Sequence, residues 1–213
     1  MPKPLFNEAG SGMHINMSLC RDGENVFADP GDPNGLSKIA YHFIAGIMDH
    51  AKGMTAITNP IVNSYKRLVP GYEAPVYIAW SAQNRSPLVR VPAARGAGTR
   101  IELRNPDPSA NPYLVLAVCL AAGLDGIKRE LMPPASTDSN VFKLTDDERE
   151  AMGIENIPDN LDRAVREMKK DSLIHRTLGS HAFMKYVAYK QKEWNQYRNV
   201  VTEWEIKNYL SRY

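Results

Sequence analysis

Residues 13–19, Met-His-Ile-Asn-Met-Ser-Leu, alternate strictly between apolar and polar side chains. That period places one set on each face of a β-strand and leaves little room for another local structure. Met13, Ile15, Met17 and Leu19 form the core-facing set. His14, Asn16 and Ser18 form the other, and none carries a formal charge at neutral pH. A solvated strand face usually shows Lys, Glu or Thr, so this imidazole–carboxamide–hydroxyl row raises the question of what it faces.

The 213 residues suffice for one domain with a real core, or for two small ones. The net charge of +2 gives no global imbalance pointing to nucleic acid or a membrane surface. No apolar run is long enough to span a bilayer, and the N-terminus lacks a signal-peptide pattern. Cys20 and Cys119 make no disulfide framework. Both sit in apolar-patterned segments and read as reduced core thiols of a cytoplasmic protein.

The first third reads as strand and loop. A hairpin is predicted from Gly12–Cys20, through the Asp22-Gly23 turn signal, into Val26-Phe27. Leu36, Ile39, Ala40, Phe43, Ile44 and Ile47 then recur at helical spacing, with a stop signal at Lys52-Gly53. The middle, about 60–108, is rich in Pro, Gly and Arg and offers short strands at Val76–Ala79, Leu88–Val91 and Thr99–Leu103. Its long loops favour function over idle connection. The remainder is helical. Asn111-Pro112 caps a helix with the stripe Leu114, Ala117, Val118, Ala121 and Leu124, and Met132-Pro-Pro134 stops it. Thr145-Asp-Asp-Glu148 is a capping box. Leu161, Val165 and Met168 mark another helix. Ser180 is predicted to cap a helix bearing Phe183, Val187 and Trp194, and Thr202–Tyr213 is the last. Strands followed by helices give an α+β fold, with no internal repeat.

Five arginines, Arg85, Arg90, Arg95, Arg100 and Arg104, crowd a stretch without lysine. Arg alone suggests two-pronged recognition of carboxylate or phosphate. Arg100, Glu102 and Arg104 share one strand face, while Ile101 and Leu103 take the other. A carboxylate between two guanidiniums is either a structural ion-pair ladder or a metal ligand beside phosphate-binding arginines. Arg67 and Glu73 lie in a loop stiffened by Pro70-Gly71 and Ala74-Pro75, expected to be exposed. Glu73 there is either a solvated charge or a catalytic base. His14 is either packed or a metal ligand, and one His with one Glu supplies only two ligands. His42, His50, His175 and His181 read as surface or interface residues.

Taken in order, Met1-Pro-Lys-Pro4, Gly10-Ser-Gly-Met-His14, Asn63-Ser-Tyr-Lys-Arg67, Pro70-Gly-Tyr-Glu-Ala-Pro75, Asn84-Arg-Ser86, Arg90-Val-Pro92, Arg100-Ile-Glu-Leu-Arg104 and Asp107-Pro-Ser-Ala-Asn-Pro-Tyr113 resemble glutamine synthetase type I, over essentially the whole chain. The resemblance implies an antiparallel sheet, part of a catalytic half-barrel, packed with helices. It implies ATP-dependent ligation of ammonia to glutamate through γ-glutamyl phosphate, with Mg2+ or Mn2+. By that likeness His14 and Glu102 are metal ligands. Asn16 and Ser18 lie along the nucleotide, and Arg85, Arg90 and Arg100 hold phosphates and the transferring phosphoryl group. Gly10, Arg67 and Arg104 bind glutamate. Glu73 sits on the flap closing over it and takes a proton from ammonium. The family also implies a cytoplasmic dodecamer of two hexameric rings, its C-terminal helix reaching across rings, with regulatory partners there. The aromatic tail from Trp204 to Tyr213 suits such docking, or else packs on its own domain.

Members of this family are about twice as long. Residues 1–213 correspond to the C-terminal part of the catalytic domain, without the N-terminal β-domain and the strands bearing the other carboxylate ligands. The segment alone is therefore expected to be inactive. Ala9 and Asn16 match an alpha-like subgroup. Phe142, in Asn140-Val-Phe-Lys-Leu144, stands where an adenylylated subgroup carries Tyr, so no adenylylation is expected. Two rivals remain: a γ-glutamyl synthetase using another amine, and a non-catalytic member keeping the fold. Nucleic-acid binding is disfavoured because aromatics do not interleave with the arginines.

Overall fold

The structure is a computed structural model and describes residues 1–71, 74–137 and 141–212. Strands β1 (Ile15–Met17), β4 (Trp80–Ser81), β5 (Val89–Arg90) and β6 (Ile101–Leu103) form a sheet in the order β1-β6-β5-β4. Strands β2 (Cys20–Arg21) and β3 (Glu24–Asn25) make a separate hairpin. Asp22 and Gly23 turn it with φ of 53° and 84°, the left-handed pair that matches strand twist. The expected hairpin is thus confined to 20–25, because β1 pairs with the distant β6 instead. The α+β class holds. The sheet departs from pure antiparallel order in one place: β4 runs parallel to β5.

Alternation through 13–19 is preserved, with the apolar residues half-buried and the polar ones exposed. On β6, Ile101 and Leu103 are 0% and 1% exposed and face the core. Across the opposite face, Asn16 stands beside Glu102, and Glu102 beside Arg90. Val76–Ala79 is not a sheet strand. Its backbone bonds instead to 155–157, through Ile78 N to Glu155 O and Ile157 N to Val76 O, and β4 begins at Trp80.

Helices cover the core side. Helix α1 (Lys38–Asp49) is capped by the Ser37 side chain, and α2 (Ala51–Thr58) follows at once. The helical run therefore passes through Gly53, where a stop was expected. Gly53 admits a neighbour instead: a Cβ there would lie 2.6 Å from Asp171 Oδ2. After the short α3 (Ser64–Arg67), α4 (Pro112–Lys128) starts with Asn111 accepting from Tyr113 N and Leu114 N. Its buried face is Val115, Val118, Cys119 and Ala122 rather than the expected stripe, which shares only Val118 with it; Leu124 is 45% exposed. The helix is apolar around much of its circumference, so periodicity cannot fix its phase. Packing fixes it. A Cβ on Gly126 would lie 2.1 Å from His42 O, so a bare glycine face lets α4 close on α1.

Helices α5 (Asp146–Ala151), α6 (Leu161–Lys170), α7 (Ser172–Leu178), α8 (Ser180–Tyr197) and α9 (Glu203–Tyr209) complete the chain. Thr145 closes its capping box as predicted. Ser180 does not cap α8: it is the first helical residue, Gly179 holds the cap position, and the Ser180 hydroxyl lies 3.2 Å from His175 Nε2. Helix α9 has its own capping box at Thr202 but buries no residue, and Trp204 is 63% exposed. Tyr213 lies outside the described residues. Cys119 is buried, which pushes its thiol up to about 12. Cys20 is exposed, not core, because it falls on the solvent side of the small hairpin.

Candidate functional site

The polar face of β1, β6 and β5 gathers residues far apart in sequence. His14 Nδ1 lies 2.7 Å from Glu102 Oε1, and Arg90 Nη1 donates to Glu102 Oε2 at 3.0 Å. Arg100 Nε donates to Asn16 Oδ1 at 3.1 Å and its Nη1 to Gly98 O at 3.2 Å. Glu102 therefore pairs across strands with His14 and Arg90, not with the arginines flanking it on its own strand. Ser18 is exposed on the same row. Arg85 sits in the loop before β5, exposed and without a hydrogen bond or ion pair among the described residues. The loop residue Glu73 lies outside the described residues.

Below this face opens a cleft of about 660 Å³, with Lys3, Glu8, Gly10, His14, Arg67 and Arg104 in its walls. Arg67 was expected on an exposed loop. It is instead the last residue of α3 and only 7% exposed. Its Nη1 donates to Asn105 O at 2.6 Å and to Pro106 O at 3.4 Å, and its Nη2 to Arg104 O at 3.3 Å. Burial lowers its pKa, and the nearby Asp107 carboxylate opposes that fall. Gly10 and Gly12 let the chain pass against this side chain. A Cβ on Gly12 would lie 2.5 Å from Arg67 Nη2, and one on Gly10 would lie 2.8 Å from Pro2 O and 3.1 Å from Arg67 Cγ.

Electrostatics favour a definite pair of protonation states. Burial, then the Arg104 charge, lower the His14 pKa, with Glu102 pulling the other way. Burial would raise the Glu102 pKa, but the hydrogen bond from Arg90 and the His14 contacts outweigh it and the net shift is down. A neutral imidazole and an ionised carboxylate thus converge. That nitrogen–oxygen donor pair fits a divalent cation such as Mg2+ or Mn2+, with the remaining ligands to come from elsewhere. Lys3, Arg67 and Arg104 against Glu8 leave the cleft net positive, suited to a small dianion.

Sequence reasoning missed the layer behind the cleft. Thr58, Asn59, Asn105 and Asp107 are each 0–3% exposed and hydrogen-bonded together. The available signal was the polar pair Thr58-Asn59 directly after the apolar Ala56-Ile57, ahead of Pro60. It also missed Lys3, held by reciprocal bonds between its backbone and the Asn63 carboxamide, at 2.9 Å each. His50, read as a surface or interface residue, packs between helices of its own chain instead. It sits at the α1–α2 junction with Nδ1 2.7 Å from Asp171 Oδ2 and Nε2 3.1 Å from Asp125 Oδ2. Asp49, His50 and Asp125 are close enough to share a cation. Arg129 already neutralises them, donating to Asp49 at 2.7 Å and to Asp125 at 2.8 Å. A larger groove of about 720 Å³ beside α6 contains none of the predicted residues, and its Arg163 is already ion-paired with Asp159.

The glutamine synthetase catalytic-domain family model matches residues 1–209. This chain belongs to the glutamine synthetase family. Among curated proteins, glutamine synthetase of Clostridium saccharobutylicum is 62% identical over 213 residues, covering 100% of this chain and 48% of that protein. Glutamine synthetase of Methanosarcina mazei is 56% identical over 211 residues, covering 99% and 47%. A solved structure of a GmaS/ADP complex superposes with a TM-score of 0.87 at 38% identity, covering 99% of this chain and 48% of that one. The chain thus spans about half the length of the glutamine synthetases it matches. Among the described residues, no helix is long and apolar enough to cross a membrane.

Proposed function

We propose that this chain is the C-terminal part of a glutamine synthetase catalytic domain and acts within a full-length enzyme joining ammonia to L-glutamate at the expense of ATP. The observation that carries the reading is the convergence of His14, Glu102 and Arg90 on one sheet face, above a cleft walled by Arg67 and Arg104, in a member of this family. Glutamate binds with its carboxylates toward Arg67 and Arg104. ATP lies along β1, past Asn16 and Ser18, its phosphates toward Arg90, Arg100 and Arg85. The GmaS neighbour, solved with ADP, supports a nucleotide site on this fold.

Phosphoryl transfer needs positioning and charge neutralisation more than covalent help, so a guanidinium cage serves it. The γ-carboxylate of glutamate attacks the terminal phosphorus of ATP, ADP leaves, and ammonia then displaces phosphate from γ-glutamyl phosphate. His14 and Glu102 would hold Mg2+ or Mn2+, which when bound supplies further neutralisation at the phosphates. The proline-stiffened loop from Pro70 to Pro75 would close the cleft against water, which would otherwise hydrolyse the acyl phosphate. Glu73 on that flap takes the proton from ammonium. The remaining carboxylate ligands come from outside this segment, which alone is inactive. The assembly is a cytoplasmic dodecamer, with the unburied α9 docking on the opposing ring and open to regulatory partners.

Phe142 packs 5.7 Å from the Tyr77 ring and has no hydroxyl, so adenylylation does not occur there. A one-AMP mass increment on this segment would refute that. The test of function is ammonia-dependent phosphate release from ATP and glutamate, by the full-length chain and by residues 1–213 side by side. The expected result is an active full-length chain and a silent segment. Turnover by the segment would sink the split-site reading. A folded full-length chain active only with another amine, or with none, would hand the function to a rival.

A further inference from the structure

One carbonyl joins the cleft to the buried layer behind it. Asn105 O accepts from Arg67 Nη1 at 2.6 Å on the cleft side and from Asn59 Nδ2 at 2.8 Å on the core side. Asn59 is fully buried and all four of its hydrogen-bonding positions are used. Nδ2 also donates to Asp107 Oδ2 at 3.0 Å, while Oδ1 accepts from Thr58 Oγ1 at 2.9 Å and from Asn105 Nδ2 at 2.8 Å. Asp107 N donates in turn to Thr58 O at 3.1 Å. Segment 104–107, whose carbonyls at 104–106 hold Arg67, is therefore pinned to the end of α2 mainly by the Asn59 carboxamide, beside the Asp107 N bond and the 2.9 Å bond from Asn105 Nδ2 to Thr58 Oγ1.

The charges point the same way. Asp107 is 0% exposed and has no ion pair among the described residues. Its other oxygen accepts from Ser109 N at 3.0 Å and from the Ser109 hydroxyl. The Asp107 charge nevertheless acts on Arg67, supporting its protonated form. Asn59 thus fixes both the carbonyl that aims the Arg67 guanidinium and the carboxylate that balances it.

We infer that Asn59 is a positioning residue for glutamate recognition, acting through the Asn105 carbonyl and Asp107 on Arg67. It touches no substrate. The inference rests on the glutamate-site reading above. A buried carboxamide with every polar atom satisfied holds its partners to one geometry, and a guanidinium recognises a carboxylate only when correctly aimed.

The test uses the full-length chain with Asn59→Leu, Asp107→Asn and, as a control, Thr55→Val. Thr55 is buried on α2, and its side chain bonds within the helix, through Oγ1 to Ala51 O at 2.8 Å. The readouts are kcat, KM for glutamate and for ATP, glutamate binding by calorimetry, and Tm. We expect Asn59→Leu to raise the glutamate KM and Kd about tenfold or more, with ATP KM within about twofold. Thr55→Val should lower Tm and leave both KM values in place. If Asn59→Leu does not fold, Asp107→Asn decides, with the same selectivity and a smaller shift. A loss in Tm alone, or an equal rise in both KM values, overturns the inference. A wild-type chain that neither binds nor consumes glutamate breaks the functional reading itself, and the inference with it.

Discussion

His14 and His50 each meet a carboxylate oxygen through Nδ1 at 2.7 Å, yet their pKa values move in opposite directions. His14 stands on an open strand face, its side chain 36% exposed, with Arg104 and Arg67 nearby. Burial and those two cations disfavour a second proton, and one carboxylate does not overcome them. The His50 side chain is 11% exposed among helices. Burial opposes its protonation too, but the hydrogen bonds of Asp171 and Asp125 outweigh it. The partner count decides the outcome. One carboxylate beside arginines favours a neutral imidazole able to ligate, whereas two favour the protonated ring, which bridges three helical segments.

The sharpest way to break this comparison is to remove His50. His50→Leu leaves Asp125 and Asp171 facing each other without their shared cation, and should cost about 3 kcal/mol of stability. Below its lowered Tm, the full-length enzyme should keep its kcat. A lost kcat at full fold would make the helical cluster part of the site. Glu102→Gln should do the reverse, cutting turnover about a hundredfold, worth about 2.7 kcal/mol at the transition state. Its effect on Tm should be small, read by paired kinetics and thermal melts. A large Tm loss with turnover intact would make the His14–Glu102–Arg90 row a structural ladder after all.

Solution pH separates the two histidines more gently. Because the folded pKa of His50 is raised from 6.5, its stabilising contribution is fully present below 6.5. It fades as pH rises through the folded value, with a slope of at most about 1.4 kcal/mol per pH unit. Denaturant titrations from pH 6 upward should show that decline, and His50→Leu should abolish it. Asp125 and Asp171, both lowered from 3.8, act at the other end. Their contribution is present above 3.8 and lost as pH falls through their folded values. Unchanged slopes in the variant would mean that His50 is not charged in the fold. The smallest effect is expected at Asn111→Ala, where loss of the α4 cap should cost about 1 kcal/mol in a urea melt without touching either cluster.

Period and chemistry in the sequence were enough to determine the alternation over 13–19 that contains β1, the caps at Asn111 and Thr145, and the helix around Leu161, Val165 and Met168. Two separate rows, His14-Asn16-Ser18 and Arg100-Glu102-Arg104, were also legible, because strand alternation fixes which side chains of one strand share a face; their meeting with Arg90 came from the pairing of β1, β6 and β5. The ordered run of motifs indicated the family, since so many residue-specific stretches in one order do not arise from composition. Only the tertiary structure decided what depends on partners far away in sequence. It withdrew Arg67 from the surface, because the carbonyls at 104–106 that receive it are set by folding. It rotated α4 away from its expected stripe, because Gly126 meets α1 and periodicity carries no phase on an apolar helix. It drew His50, read as a surface or interface residue, into a carboxylate cluster that raises its pKa, because Asp125 and Asp171 arrive from two other helical segments. It also placed Asn59 behind the cleft, where a carboxamide's worth lies in the one carbonyl it shares.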